Sequence, residues 1–247
     1  MSTLNLLPVA TATPPLKLAQ PLETVNDLIE TAQKAAQKGV CVLVFPELSL
    51  TGYTCGDLFF QPALHEATEK AVEKLAEASK QWENLLIFVG LPIIHQHALY
   101  NCALAIHAGR LCAFIPKTYL PNTGEFYEKR WFTPYQSSTN EPSSCCYAGQ
   151  TVPFGQGKIQ YQLNGTTYWI GCEICEDLWA PQPVSTQLAL SGCEVIVNLS
   201  ASNELIGKTA YRRQLVLQQS ARLNAAYVYS GAGTDESSTD LVLADMP

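Results

Sequence analysis

The stretch Tyr168-Trp169-Ile170-Gly171-Cys172-Glu173-Ile174-Cys175-Glu176-Asp177 reads as a buried strand that turns polar as soon as the thiol of Cys175 is reached. A cysteine at the mouth of a sheet is placed like a nucleophile. Its unperturbed pKa, about 8.5, means that a neighbouring base or cation must help supply the thiolate. Just upstream, Asn164-Gly165 carries the type I′ hairpin signal that feeds this strand. Downstream, residues 194–199 and 225–230 read as further strands, with helical stretches at 185–190 and 209–223.

Towards the N-terminus, Val25, Leu28, Ile29, Ala32, Ala35 and Ala36 recur at helical spacing, and Gly39 sits where a helix end favours glycine. Residues 40–45 form a continuous apolar run suited to a strand covered on both faces, broken by Pro46. A second helix is expected over 62–82. Residues 85–94, 100–106 and 111–115 then predict a β-meander, with a hairpin turn at 107–110. Residues 116–153, rich in Pro, Ser and aromatics, read as a long loop that holds Cys145 and Cys146. The mixture predicts an α/β fold, a layered sheet with helices outside, in one unit spanning 1–247.

The formal charge of -7, without a large basic cluster, argues against a nucleic-acid partner. No apolar run approaches the roughly 18 residues a membrane span requires. Nine cysteines are an odd number, mostly inside apolar runs and with no secretory signal ahead of them. They read as reduced thiols of a cytoplasmic protein.

Three segments share one layout, an apolar strand followed at once by a turn carrying one reactive group: Val44-Phe45-Pro46-Glu47, Phe114-Ile115-Pro116-Lys117, and the run ending at Cys175. If the strands are neighbours, a carboxylate, an amine and a thiol meet at one sheet edge, the set that amide hydrolysis through a thioester requires. Glu47 would move the proton. Lys117 would stabilise the thiolate and the oxyanion, helped by a backbone N–H after Cys175. Singly, each has an ordinary reading: solvated loop glutamate, surface lysine, inert packed thiol. Their coincidence is what points to chemistry.

The motifs Val44-Phe45-Pro46-Glu47-Leu48 with Thr51-Gly52-Tyr53, Pro116-Lys117-Thr118-Tyr119-Leu120-Pro121 and Gly171-Cys172-Glu173-Ile174-Cys175-Glu176-Asp177 resemble the nitrilase (carbon–nitrogen hydrolase) superfamily. Gly56-Asp57-Leu58-Phe59, the run 125–132, Asn198-Leu199-Ser200-Ala201-Ser202 and Tyr211-Arg212-Arg213 narrow the likeness to the glutaminase domains of glutamine-dependent NAD synthetases. The resemblance implies a four-layer α/β/β/α sandwich, incomplete at the C-terminus. It implies glutamine hydrolysis by Glu47, Lys117 and Cys175, with Glu128 in support and Glu125 close enough to compete for that role. Thr123, Ser202 and Lys208 match glutamine-binding positions, and Tyr53 and Phe126 the pocket wall. Relatives often carry tyrosine and arginine where this chain has Thr123 and Lys208, and a lysine cannot grip a carboxylate with a planar fork.

The same resemblance implies a homo-oligomer and, as functional partner, an NAD synthetase domain that brings ATP and magnesium. Hydrolysis itself would need no cofactor or metal. That domain is missing here, and Leu241-Val242-Leu243 reads as the start of an unfinished strand pair, the mark of a fragment.

Other readings compete. Cys172 and Cys175 form a C-x-x-C pair, but residues three apart on a strand face opposite ways and no second pair completes a metal site. His95 and His97 read as solvated hairpin residues. Residues 231–238 lack the lysine of a phosphate-binding loop and read as a connection at the site rim. The fold could also serve another small amide, nitrile or carbamoyl amine, or an inactive assembly subunit, although all three reactive residues are present.

Overall fold

The computed structural model describes residues 6–136 and 143–243. In chain order the elements are β1 (Val9–Thr11), α1 (Pro21–Gln37), β2 (Val42–Val44), α2 (Pro62–Ser79), β3 (Leu86–His95), β4 (Ala98–His107) and β5 (Arg110–Pro116). They continue with β6 (Ser143–Tyr147), β7 (Gln150–Phe154), β8 (Lys158–Leu163), β9 (Thr166–Ile174), α3 (Glu176–Trp179), α4 (Val184–Leu190), β10 (Val195–Leu199), α5 (Lys208–Leu223) and β11 (Ala226–Ser230). One sheet has the order β1-β2-β3-β4-β5-β7-β6 and the other β11-β10-β9-β8.

Alternation along the strands places the two sheets face to face. On β2 and β3, Leu43, Ile87 and Val89 pack under α1 and α2, against Leu28, Ala32, Val72 and Leu75. The intervening residues Val42, Val44 and Phe88 point the other way, into a core shared with Ile170, Cys172, Val195 and Val197 of the second sheet. Ile196 then faces outward onto Leu188 of α4. Three apolar cores thus separate helices, sheet, sheet and helices.

Local chemistry sets the joints. Pro21 opens α1, where its missing N–H costs nothing, and Gly39 follows the helix end at φ 74°. The turns at Ala108-Gly109 and Asn164-Gly165 have positive φ at both positions, as a type I′ hairpin demands.

Several expectations change. The β2 strand is shorter than 40–45, and α2 ends at Ser79, because Trp82 folds back to donate its N–H to Ser79 O. The segment 116–153 is not one loop. It ends in the hairpin β6–β7, turning at Ala148-Gly149, and Cys145 and Cys146 lie on β6. The strands flanking that turn, Ser143-Ser144-Cys145-Cys146-Tyr147 and Gln150-Thr151-Val152-Pro153-Phe154, are too short and polar to stand out as strands. His95 is buried, stacked on Phe154 at 4.2 Å with Nε2 2.7 Å from Ser143 Oγ, whereas His97 is exposed. Leu241–Leu243 form no strand: Val242 O accepts the Glu204 N–H and Leu243 is buried. The reading of 241–247 otherwise falls outside the described residues.

Candidate active site

Glu47 follows β2 and Lys117 follows β5, and these parallel strands bring both to the same end of the first sheet although β3 and β4 lie between them. Cys175 follows β9 in the other sheet. The expected meeting of neighbouring strands at one sheet edge is therefore corrected: the reactive groups converge across two facing sheets, which no local pattern along a strand encodes.

The turn at Glu47 is held by close backbone contact. Leu48 adopts φ 50°, and Gly90 of β3 lies against it, so that a Cβ on Gly90 would stand 2.1 Å from Leu48 N and 2.8 Å from Pro46 O. These are main-chain atoms and cannot swing aside. Gly90→Ala is expected to destabilise the protein by about 1–3 kcal/mol by overpacking and to displace Glu47. Urea unfolding together with an activity assay checks this; a fully stable and active variant would refute the tight fit.

Glu47 and Lys117 are fully enclosed, and Lys117 Nζ donates to Glu47 Oε1 at 2.6 Å and to Glu128 Oε1 at 2.7 Å. Of the two candidate supporting carboxylates, Glu128 is the one in contact with Lys117. Glu125 instead accepts from Asn203 Nδ2. Asn101 Nδ2 donates to Glu47 Oε1 at 2.7 Å, the Ala201 N–H to Glu47 Oε2 at 2.9 Å, and Tyr53 OH to Glu128 Oε1 at 2.7 Å. Burial alone would lower the Lys117 pKa, but the carboxylates of Glu128 and Glu47 outweigh it and hold the ammonium well above its usual range. Burial pushes Glu128 up to about 7 against the pull of Lys117.

Cys175 stands at φ 43°, ψ −97° between β9 and α3, a sparsely populated conformation for a residue with a Cβ that costs about 1–3 kcal/mol. Its N–H donates to Leu199 O at 3.0 Å and Asn198 Oδ1 at 3.1 Å, and Ser200 Oγ donates to Sγ at 3.3 Å. Ser200 and Ala201 are consecutive, so the segment directly after β10 touches both the thiol and the Glu47 carboxylate. Burial, then the Glu47 charge, push the Cys175 thiol up, while Lys117 and the Ser200 hydroxyl act the other way. The sulfur thus lies within electrostatic reach of both the Glu47 carboxylate and the Lys117 ammonium.

Asp177 fastens the two sides together. Buried completely, it accepts the N–H groups of Thr118 at 3.1 Å and Tyr119 at 2.8 Å through Oδ1, and that of Ile174 at 3.0 Å through Oδ2. Lys117 and Cys175 are adjacent to these donors. Burial raises Asp177 to about 8, and Glu236 on the 231–238 segment also to about 8. Unfolded carboxyls titrate near 4. Between about pH 4 and pH 8 the folded state therefore binds more protons, and stability falls as pH rises through that window. A lower urea midpoint at pH 8.5 than at pH 6, with an unchanged slope, is expected; the opposite order would refute it.

The remaining predicted residues are divided. Ser202 is buried beside Ala201, and Lys208 is half-buried at the start of α5, its Nζ donating to Asn203 Oδ1 and lying 5.8 Å from the Phe126 ring and 5.3 Å from Trp179. Burial lowers its pKa, with Cys175 acting in the opposite sense. Thr123 is exposed on the segment that follows β5, its carbonyl accepting the Phe126 N–H. Tyr53 and Phe126 meet edge to face at 6.3 Å. A cavity of about 230 Å³ lined by Tyr53, Thr54, Glu125 and Phe126 adjoins the site. Larger ones of about 500 and 430 Å³ include none of the triad. Asn101, Asp177, Gly90 and the Ala201 N–H were not singled out from sequence. Gly90, Asn101 and the Ala201 N–H acquire their roles through the approach of β3, β4 and the end of β10 to the Glu47 turn, and Asp177 through the approach of the chain after β5.

A buried thiol, a carboxylate and an ammonium, interlinked in this way, are equipped for covalent acyl transfer from an amide. The family model for carbon–nitrogen hydrolases matches residues 8–239, and the chain belongs to that family of hydrolases. It is 37% identical over 233 residues to a glutamine-dependent NAD(+) synthetase of Mycobacterium tuberculosis, covering 94% of this chain but 34% of that protein. The solved glutamine-dependent NAD(+) synthetase of Cytophaga hutchinsonii superposes with a TM-score of 0.78 at 28% identity, over 94% of this chain and 37% of that one. An amidase from Nesterenkonia sp. shares the fold at 16% identity, with a TM-score of 0.71 over 95% of this chain and 78% of that one. This chain thus spans about a third of the synthetases it matches. Among the described residues no helix is long and apolar enough to cross a membrane.

Proposed function

We propose that the chain hydrolyses the side-chain amide of glutamine through a γ-glutamyl thioester on Cys175. Glu47 takes the thiol proton as Sγ attacks the carbonyl carbon, and Lys117 with nearby N–H groups stabilises the oxyanion. The tetrahedral centre collapses as Glu47 returns the proton to the departing nitrogen, which leaves as ammonia. Glu47 then activates water, whose oxygen displaces Sγ to give glutamate. Glu128 holds Lys117. The observation carrying this reading is the contact of Lys117 Nζ with both buried carboxylates, next to a thiol that shares the Ser200-Ala201 segment with Glu47.

Lys208 supplies the positive charge for the substrate α-carboxylate, with Ser202 and Thr123 as further contacts. Glu176, half-buried and within electrostatic reach of Lys208, offers the α-ammonium a partner. Similarity to glutamine-dependent NAD(+) synthetases along 94% of the chain supports glutamine as substrate and amidation of deamido-NAD as the fate of the ammonia. That step, with its ATP and magnesium, belongs to the part of the relatives outside the matched third, a synthetase domain working as partner. Hydrolysis itself draws only on protein side chains. Nine free thiols fit a reducing cytoplasm, and the exposed Leu190, Ile206 and Leu217 suit self-association.

A second reading, another small amide, is favoured by Lys208, which is already tied to Asn203 and offers a point charge instead of a planar fork. Glutamate and ammonia released from glutamine, compared with simple aliphatic amides, decides between them. Turnover of the simple amides with none of glutamine would overturn the first.

A further inference from the structure

Glu236 is 4% exposed and has no part in the hydrolysis described above, yet it reaches the site from a distant segment. Its Oε2 accepts the backbone N–H of Tyr53, and its carbonyl accepts the Thr54 hydroxyl at 2.9 Å. Gly52, at φ 95°, is pressed into the same place, for a Cβ there would lie 2.5 Å from Leu18 Cδ1 and 3.4 Å from Glu236 Oε2. The main chain around Tyr53 is thus fixed from both sides. The Tyr53 ring is itself buried, and its hydroxyl donates to the Glu128 oxygen that also receives Lys117 Nζ.

We propose that Glu236 is a positioning residue for the Lys117–Glu128 pair, acting through Tyr53. The carboxyl holds the Tyr53 backbone, the hydroxyl holds Glu128, and Glu128 holds the ammonium that serves Cys175. Burial raises Glu236 to about 8, which lessens the negative charge it brings near Glu47 at neutral pH while it places Tyr53. A glutamine, which offers the same Tyr53 N–H an amide oxygen, can take over this work; an alanine cannot.

The test uses the whole chain with two readouts. One is the rate at which iodoacetamide alkylates Cys175, followed by mass spectrometry at that site, which needs no substrate. The other, glutamine hydrolysis, rests on the proposed function. Wild-type protein inert towards glutamine would sink that function and leave the alkylation ranking to decide the role of Glu236.

At neutral pH, Glu236→Ala is expected to slow both by roughly ten- to a hundredfold, the scale of a misplaced catalytic group, while Glu236→Gln stays within about twofold of wild type. In a Tyr53→Phe background, Glu236→Ala should add no more than about twofold, because the hydroxyl through which it acts is gone. Should the alanine variant fail to fold, Glu236→Asp, which draws the carboxyl back from Tyr53, takes its place with the same ranking. Full reactivity of Glu236→Ala, equal impairment of the glutamine variant, or an undiminished loss in the Tyr53→Phe background would each overturn the proposal.

Discussion

Cys175→Ala is expected to reduce amide hydrolysis by at least about 10⁴-fold, the scale seen when a covalent nucleophile is removed, while the unfolding free energy changes by less than about 1 kcal/mol. Sγ is the one atom here able to form an acyl bond while flanked by a base and a cation. The buried thiol accepts one side-chain hydrogen bond, from Ser200, and otherwise meets Glu47 and Lys117 through their charges, so its loss takes little from the core. Alanine keeps a Cβ and hence the same turn at φ 43°. Ammonia release and thermal unfolding measured on the same sample check both halves. Hydrolysis surviving in the variant would mean that a water, not the sulfur, attacks the amide.

Lys117→Met should be more damaging, because it removes activity and stability together. Its ammonium lies between Glu47 Oε1 at 2.6 Å and Glu128 Oε1 at 2.7 Å, none of the three side chains more than 1% exposed. Removing one partner of a buried ionic group leaves the other charge uncompensated, at a cost of about 3–5 kcal/mol. Here two carboxylates would face each other, so at least one must take up a proton. Glu128, raised by burial to about 7 even with the lysine present, then loses the pull of Lys117 and rises further, so by linkage the variant loses more stability than wild type as pH increases. The gap between wild type and Lys117→Met in urea unfolding should therefore be wider at pH 8 than at pH 5. A gap that narrows with rising pH would show that the carboxylates do not depend on the lysine.

Much of this arrangement is legible along the chain. Each reactive residue follows an apolar run and sits at a turn, and Pro46 and Pro116 mark where two of the strands give way. The alternation of Val42, Leu43 and Val44 shows a strand covered on both faces without telling which face meets helices and which meets a second sheet. The β6–β7 hairpin escaped because its strands are short, rich in Ser and Gln and interrupted by Pro153, whereas the same Ala-Gly pair at 108–109 lies between long apolar runs. His95 misled because its neighbours Gln96 and His97 are exposed, while the imidazole itself turns inward onto Phe154.

The supporting groups form a separate class. Asn101 lies in the middle of β4, Asp177 directly follows another acid, and Glu236 sits in a polar loop, places where such residues are ordinarily solvated or structural. They become part of the site through hydrogen bonds to segments 54, 58 and 183 positions away. Gly90 shows the same limit. Its lack of a side chain has meaning only when the Glu47 turn is laid against it.

By itself, then, the chain indicated most of the strands, the long helices, the turns at 108–109 and 164–165 and three candidate reactive side chains, since periodicity, turn chemistry and side-chain reactivity are properties of short stretches. Tertiary structure alone decided that the thiol comes from a different sheet than the base and the lysine, that Glu128 rather than Glu125 grips the lysine, and that Asp177 and Glu236 are sealed from water. Charge balance, burial and hydrogen-bond satisfaction depend on what is packed within a few ångströms, and sequence distance says nothing about that.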